Sequence, residues 1–278
     1  MRIGVLDCFS GVSGDMLLGA LLHCGVEQHA LEAQLRQLNV PGWSLHCEHV
    51  LKEGISGVRA GVLLEERDEG HGRRLSDIES ILASSSLPVK TVARAVSTFR
   101  RLAGAEARIH GATVDDIHFH EVGAVDAIID ITGACIGFDL LGIERLYVTD
   151  IPMNRGWIEC AHGTMPSPAP AALELLAGFV LRPDERRMEL VTPTGAAVLA
   201  EFAVRDPLGG AQPPPVFRLE LTGYGAGQRD TWIPNLLRMM IGEEVAVEQR
   251  VPSGGGPTSR KRPHGSGQHA GDAPAVDH

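Results

Sequence analysis

The chain has 278 residues, 44% hydrophobic and only 4% aromatic, enough material for one large folded unit whose core must be built from Leu, Val, Ile and Ala. Its 25 basic and 35 acidic residues give a formal charge of -10, which argues against a general nucleic-acid binder but leaves room for a local anion site. Five scattered Cys without C-x-x-C spacing, no basic leader before an apolar run, and no apolar stretch of membrane-spanning length together suggest a cytoplasmic protein that does not enter a membrane.

Residues 2–7 predict a short buried strand that ends on Asp7, followed by the loop Cys8-Phe9-Ser10-Gly11-Val12-Ser13-Gly14-Asp15 and a helix over 16–24. Strand, Gly/Ser loop and helix form a turn whose N–H groups at Ser10, Gly11, Ser13 and Gly14 can converge on an anion. Asp7, with Asp15 nearby, could hold a divalent cation beside it; the same pattern also fits an ordinary capped turn. Cys8 is a candidate soft ligand, or a small buried hydrophobe. A helix follows over 28–38, then two strands over 43–52 and 55–65 around Glu53-Gly54. This order points to a mixed α/β domain, a mixed sheet packed by helices. Residues 66–74 read as a polar surface loop. A helix is predicted from near Ser76-Asp77 until Ser86-Leu87-Pro88 breaks it, and another over 89–107, closed by His110 and Gly111.

The stretch His118-Phe119-His120-Glu121-Val122-Gly123-Ala124-Val125-Asp126, with Asp130 beyond it, is charged within apolar surroundings. Charge placed there is costly unless paired or ligated. On an extended segment His118 and His120 share a face, and on a helix starting near Gly123 the carboxylates of Asp126 and Asp130 lie one turn apart. The cluster suits a divalent metal or acid–base chemistry, with Glu121 on the opposite face; a polar network capping the helix would use the same residues.

A helix over 127–141 precedes a strand over 145–149 and a loop through 150–164. Pro166, Pro168 and Pro170 stiffen the approach behind His162 and Gly163, making His162 a further metal candidate, before a helix over 171–177. Thr192-Pro193-Thr194-Gly195 is an N-cap pattern whose hydroxyls and N–H groups would suit a phosphate, or simply cap a helix. A strand is expected over 217–222, a glycine loop over 223–230, and a final strand or short helix from Asn235. From about residue 252 the composition turns to Ser, Gly, Pro, His and basic residues. The expectation is a folded unit over 1–250, which could divide into two lobes, and a disordered tail over 251–278.

The loop 7–16, the segment 118–126, His162-Gly163-Thr164-Met165-Pro166-Ser167-Pro168-Ala169-Pro170, Thr192-Pro193-Thr194-Gly195-Ala196 and Gly223-Tyr224-Gly225-Ala226-Gly227 together resemble the LarC family over residues 2–247. The resemblance implies a nickel chelatase that inserts Ni²⁺ into pyridinium-3,5-bisthiocarboxylic acid mononucleotide, a phosphorylated pyridinium dithiocarboxylate, to form the nickel-pincer nucleotide cofactor of lactate racemase. It also implies a CTP-dependent cyclometallase that uses Mn²⁺ or Mg²⁺, and a C-terminal CTP-binding domain as a partner. On this reading His118, His120, Glu121 and Asp126 carry catalysis. Nickel would be held by His118, His120, Asp126, Asp130 and His162, with Asp7 as a further metal residue, and the nucleotide phosphate by the 10–14 and 192–195 turns. The contrasting expectation is a non-catalytic nickel storage or delivery module. Homo-oligomers fit either reading.

Overall fold

In the computed structural model, residues 1–65, 73–119, 123–160 and 163–245 are described, all of them within the unit Met1–Ala246. In chain order the strands are β1 (Arg2–Asp7), β2 (Trp43–Lys52), β3 (Ile55–Leu64), β4 (Arg73–Arg74), β5 (His118–Phe119), β6 (Arg145–Val148), β7 (Ile151–Asn154), β8 (Gly156–Cys160), β9 (Gly163–Ser167), β10 (Leu181–Asp184), β11 (Phe217–Ala226) and β12 (Leu236–Glu244). The α-helices are α1 (Gly14–His23), α2 (Gln28–Leu35), α3 (Leu75–Ala83), α4 (Val89–His110), α5 (Val125–Leu140), α6 (Pro170–Leu175) and α7 (Pro193–Phe202).

Six strands form the main sheet in the order β2-β3-β11-β12-β1-β6. β1 pairs parallel with β6 and antiparallel with β12, so the sheet is mixed, as the sequence leads one to expect. β2 and β3 form a hairpin in full register from Trp43↔Leu64 to Lys52↔Ile55. Its turn places Glu53 at φ 48° and Gly54 at φ 81°, the two positive values that a tight hairpin turn needs. Among the described residues, β3 pairs with the rest of the sheet through the parallel pair Gly225↔Val58.

The period of two along β1 sorts its side chains between the two faces. Leu6 belongs to the main core, whereas Ile3 and Val5 join Tyr147 in a smaller cluster backed by Phe217 and Met240. The main core lies under α1, α4, α5 and α7 and is built from Leu, Ile, Val and Ala with Phe99, Phe119 and Phe138. α5 is buried along most of its length. α4 ends where Gly111 takes the left-handed conformation, at φ 63°.

The glycine-rich segment after residue 222 differs from expectation. It is not a loop: β11 continues through Gly223 and Gly225 to Ala226. A Cβ on Gly225 would strike the Met16 carbonyl oxygen of α1 and lie 2.6 Å from the Ala20 nitrogen, and one on Gly223 would lie 2.8 Å from the Ala20 oxygen. These glycines are there because helix backbone rests directly on the strand. The region 150–167 also holds more strand than expected, with β7 pairing β10 and β8 pairing β9. The proposed tail over 251–278 lies outside the described residues. No described helix is long and apolar enough to cross a membrane.

Candidate functional site

The loop after β1 and the turn before α7 are one assembly. Val12 N donates to Leu190 O (2.8 Å) and Thr192 N donates to Val12 O (3.1 Å). Gly11 sits at φ 104°, and a Cβ there would lie 2.7 Å from the Leu190 carbonyl carbon. A Cβ on Gly195 would lie 2.6 Å from Val12 O. The two turns that the sequence offers separately as anion sites therefore lock together, and the N-terminal ends of α1 and α7 come side by side.

α5 joins the same place. A Cβ on Gly14 would lie 2.6 Å from Asp130 Cβ and 2.7 Å from its Cγ, so the Asp130 carboxylate fills the space that the missing side chain leaves. Some of the Asp130 residue surface remains accessible. Its Oδ1, however, is sealed from solvent and has no hydrogen-bond partner among the described residues. Burial pushes the Asp130 carboxyl well above the ordinary aspartate value, and the negative charges of Asp15 and Asp126 push it further. Asp126, exposed in the first turn of α5, accepts from Ala127 N through Oδ1 (2.7 Å). Asp15 Oδ1 accepts from Ser13 Oγ and from Met16 N, and its Oδ2 accepts from Gln228 Nε2 (3.2 Å).

The other predicted site residues are placed as follows. Asp7 is paired with Arg238, whose Nε donates to Oδ2 (2.9 Å), and its Oδ1 accepts from Thr149 Oγ1 (3.2 Å). What faces Asp7 is thus a guanidinium. Ser10 is buried, and its Oγ accepts from Arg186. Gly11 and Gly195 serve the contact between the two turns. Ser13, Thr192 and Thr194 are half-buried; Thr192 Oγ1 caps α7 by accepting from Gly195 N (3.2 Å) and lies 2.9 Å from Thr194 Oγ1. Burial raises the Cys8 thiol, with Asp7 and Asp150 adding to the shift, so it stays a neutral, poor ligand.

His118 is exposed on β5, which pairs with β4 through Arg74↔His118. Its Nε2 accepts from Arg74 Nε (3.1 Å), and its Nδ1 lies 3.1 Å from Asp116 O. The pattern fits a neutral ring that donates from Nδ1. Arg73, next along β4, donates to Gly123 O (2.8 Å) just before α5. His120, Glu121 and His162 lie outside the described residues. Among the described residues, no three His, Cys, Asp or Glu side chains converge as a ready metal-ligand set.

Arg186 gave no signal in the sequence. It lies within the charged run Asp184-Glu185-Arg186-Arg187, yet it is buried. It bonds both oxygens of Asp184 (2.8 and 2.7 Å) and braces Ser10 and the Phe9 carbonyl. Hydrogen bonding from Arg186 holds the Asp184 carboxyl below its usual value. Arg182 also donates to Phe9 O. Two arginines thus fix the loop between β1 and α1.

The model of the nickel insertion protein family matches residues 5–255. A pyridinium-3,5-bisthiocarboxylic acid mononucleotide nickel insertion protein of Desulfitobacterium hafniense is 46% identical over 255 residues, covering 91% of this chain and 61% of the relative. A protein of the same description from Geobacillus kaustophilus is 41% identical over 262 residues, covering 91% and 62%. The chain spans about three fifths of the length of the curated relatives it matches. No solved structure matches.

Proposed function

The chain belongs to the nickel insertion protein family, and from that premise we propose that it inserts nickel into pyridinium-3,5-bisthiocarboxylic acid mononucleotide, in the cytoplasm, on the way to the nickel-pincer cofactor of lactate racemase. One observation carries the placement of the site. The first turns of α1 and α7 and the Asp130 side chain of α5 meet at Gly14 and Val12, setting two positive helix ends beside a carboxylate cluster.

In this reading the nucleotide phosphate lies against the ends of α1 and α7, bonded by the hydroxyls of Ser13, Thr192 and Thr194. Ser10, Gly11, Gly14 and Gly195 shape that floor. Nickel, as substrate, is delivered by His118 and His120 with Asp126 or Asp130, and His162 is a further ligand. Forming the carbon–nickel bond releases the proton from the pyridinium carbon. Burial and the charges of Asp15 and Asp126 raise the proton affinity of the Asp130 carboxyl, so its ionised form is one candidate acceptor. Glu121 is a second candidate acceptor. Arg74 must leave the Nε2 of His118 before that nitrogen can bind nickel. CTP dependence with Mn²⁺ or Mg²⁺ is assigned to the C-terminal domain that the resemblance implies.

The test combines this chain with the C-terminal domain of a relative, CTP, Mn²⁺, nickel and the dithiocarboxylate nucleotide. Nickel per nucleotide and activation of lactate racemase are the readouts. The expected result is turnover that falls at least tenfold in His118→Ala/His120→Ala and in Asp130→Asn, on the order of a lost metal-site contact. Full insertion by the double His variant would remove the ligand assignment. Nickel bound without turnover, with every component present, would leave a delivery module instead.

A further inference from the structure

Two polar groups at the candidate site take no part in holding phosphate or nickel as proposed above. Asp15 is half-buried in the first turn of α1, and Gln228 is exposed in the connection between β11 and β12. Gln228 Nε2 donates to Asp15 Oδ2 (3.2 Å), joining positions 213 residues apart. On its other oxygen Asp15 accepts from Ser13 Oγ and from Met16 N. A first-turn aspartate is favoured by the helix dipole alone. The dipole does not account for an amide brought to it from another element.

The connection that carries Gln228 is fixed at several points. Gly227 N donates to Asn235 O (3.0 Å) and closes it at the base. The buried Asn235 gives Nδ2 to Arg229 O (2.9 Å). Lys52 of β2 donates Nζ to the same carbonyl (3.3 Å) and to Asp230 Oδ1 (2.5 Å). The Lys52 side chain is 5% exposed, whereas that of Asp230 is 88% exposed. Burying an ammonium against a solvated carboxylate adds little to stability. What the contact does is hold Arg229, the neighbour of Gln228, in one place. β3 runs close by, where a Cβ on Gly61 would lie 3.7 Å from Gln228 Nε2.

We propose that Asp15 and Gln228 recognise the ribose 2′,3′-diol of the nucleotide, an inference that rests on the nucleotide reading of the α1–α7 site. A carboxylate repels a phosphate, but it accepts from a sugar hydroxyl in a charge-assisted hydrogen bond. Asp15 stands two positions from Ser13, on the turn assigned to the phosphate, and in a mononucleotide the sugar is the group next to the phosphate. Beyond one bond to a carboxylate, a glutamine amide retains an acceptor oxygen and a second N–H for the adjacent hydroxyl. The hydrogens that Ser13, Met16 and Gln228 direct at Asp15 make a setting for hydrogen bonding rather than for a bare divalent cation.

Calorimetric titration of the full chain, in EDTA, with nicotinic acid mononucleotide (a pyridinium ribonucleotide) and with its 2′-deoxy form tests this. The ribonucleotide is expected to bind at least about fivefold tighter, the order of one hydrogen bond to a charged group. In Asp15→Asn and in Gln228→Met the two affinities should converge to within about twofold, through weaker binding of the ribonucleotide. Should Asp15→Asn fail to fold, Gln228→Met, on an exposed connection, carries the test. Thr192→Val should weaken both nucleotides by the same factor. A ribose preference that survives Gln228→Met and Asp15→Asn overturns the proposal, and so does equal binding of the two nucleotides by the unaltered chain. In either case a loss of both on Thr192→Val leaves the phosphate placement standing. Binding that appears only when Mg²⁺ replaces EDTA makes Asp15 a cation residue and overturns the proposal too. No heat with either nucleotide overturns it together with the phosphate placement, while nickel insertion is read independently by the reconstitution assay.

Discussion

Gly14→Ala isolates the contact that brings α1 and α5 together. At an ordinary helical position alanine would stabilise by at most roughly 1 kcal/mol. Here the new methyl would lie 2.6 Å from Asp130 Cβ and 2.7 Å from its Cγ. Overpacking of that kind costs about 1–3 kcal/mol. The expected net loss is about 1–2 kcal/mol, a Tm lowered by about 2–8 °C for a unit of this size. In an Asp130→Ala background the obstructing carboxylate is absent, and the same Gly14→Ala change should become neutral or slightly stabilising. Urea denaturation of the four proteins, followed by circular dichroism, gives the coupling as the departure from additivity, expected to be about 2 kcal/mol and within the range of touching residues. Additivity within about 0.5 kcal/mol would refute the contact and, with it, the placement of Asp130 at the end of α1.

The remaining expectations concern charge, brace and packing. Because the Asp130 pKa is raised in the folded chain, the native state holds a proton that the unfolded state has released; its stabilisation is full below the ordinary aspartate range and is lost as pH rises toward the raised value. Asp130→Asn should therefore flatten the decline of stability with rising pH, measured by denaturation between acid and neutral pH; an unchanged slope would place the titrating group elsewhere. Arg186→Met leaves the buried Asp184 carboxylate with only the longer ion pair to Arg182 (3.8 Å) and should cost about 3 kcal/mol, partly recovered in Arg186→Met/Asp184→Leu, with thermal melts as the check. Arg74→Ala frees Nε2 of His118 and should tighten nickel binding by about tenfold in calorimetry if that nitrogen is a ligand; unchanged affinity would exclude it. Gly225→Ala forces a methyl into the α1 backbone and should cost more than about 3 kcal/mol, whereas Gly104→Ala, with open space around it, should be neutral or stabilising when both are compared by urea midpoint.

Much of the fold was legible where one local pattern decides the outcome. The alternation around Glu53-Gly54 marks the β2–β3 hairpin, and the apolar spacing of Ile128, Ile131, Cys135 and Phe138 marks α5. Thr192-Pro193 announces the start of α7. The glycines at 223 and 225 misled because glycine favours loops, while the reason for them here is a helix arriving from two hundred residues earlier. Strands β7–β10 are only four or five residues long, too short for periodicity to separate them from loop.

At the candidate site, the sequence indicates which turns matter but not that they touch. The bond from Thr192 N to Val12 O joins positions 180 residues apart. Arg186 had no local signature because its value lies in burial beside Ser10. The pairing of His118 with Arg74 likewise depends on β4 and β5 meeting, not on spacing within the central motif.

The pairing Gly225↔Val58 has a consequence for how the molecule opens. Beyond that backbone pair, the β2–β3 hairpin is held by α1, whose Gly19 sits against the Val58 carbonyl, and by Lys52, whose Nζ donates to Asp230 Oδ1 and Arg229 O. Amide protons shared between β2 and β3 are therefore governed by two routes: fraying of the hairpin from its own turn, and release of α1. The β1–β12 ladder lacks the first route. Hydrogen exchange should divide the six strands into a two-strand leaf and a four-strand body with different protection, although one sheet order runs through both.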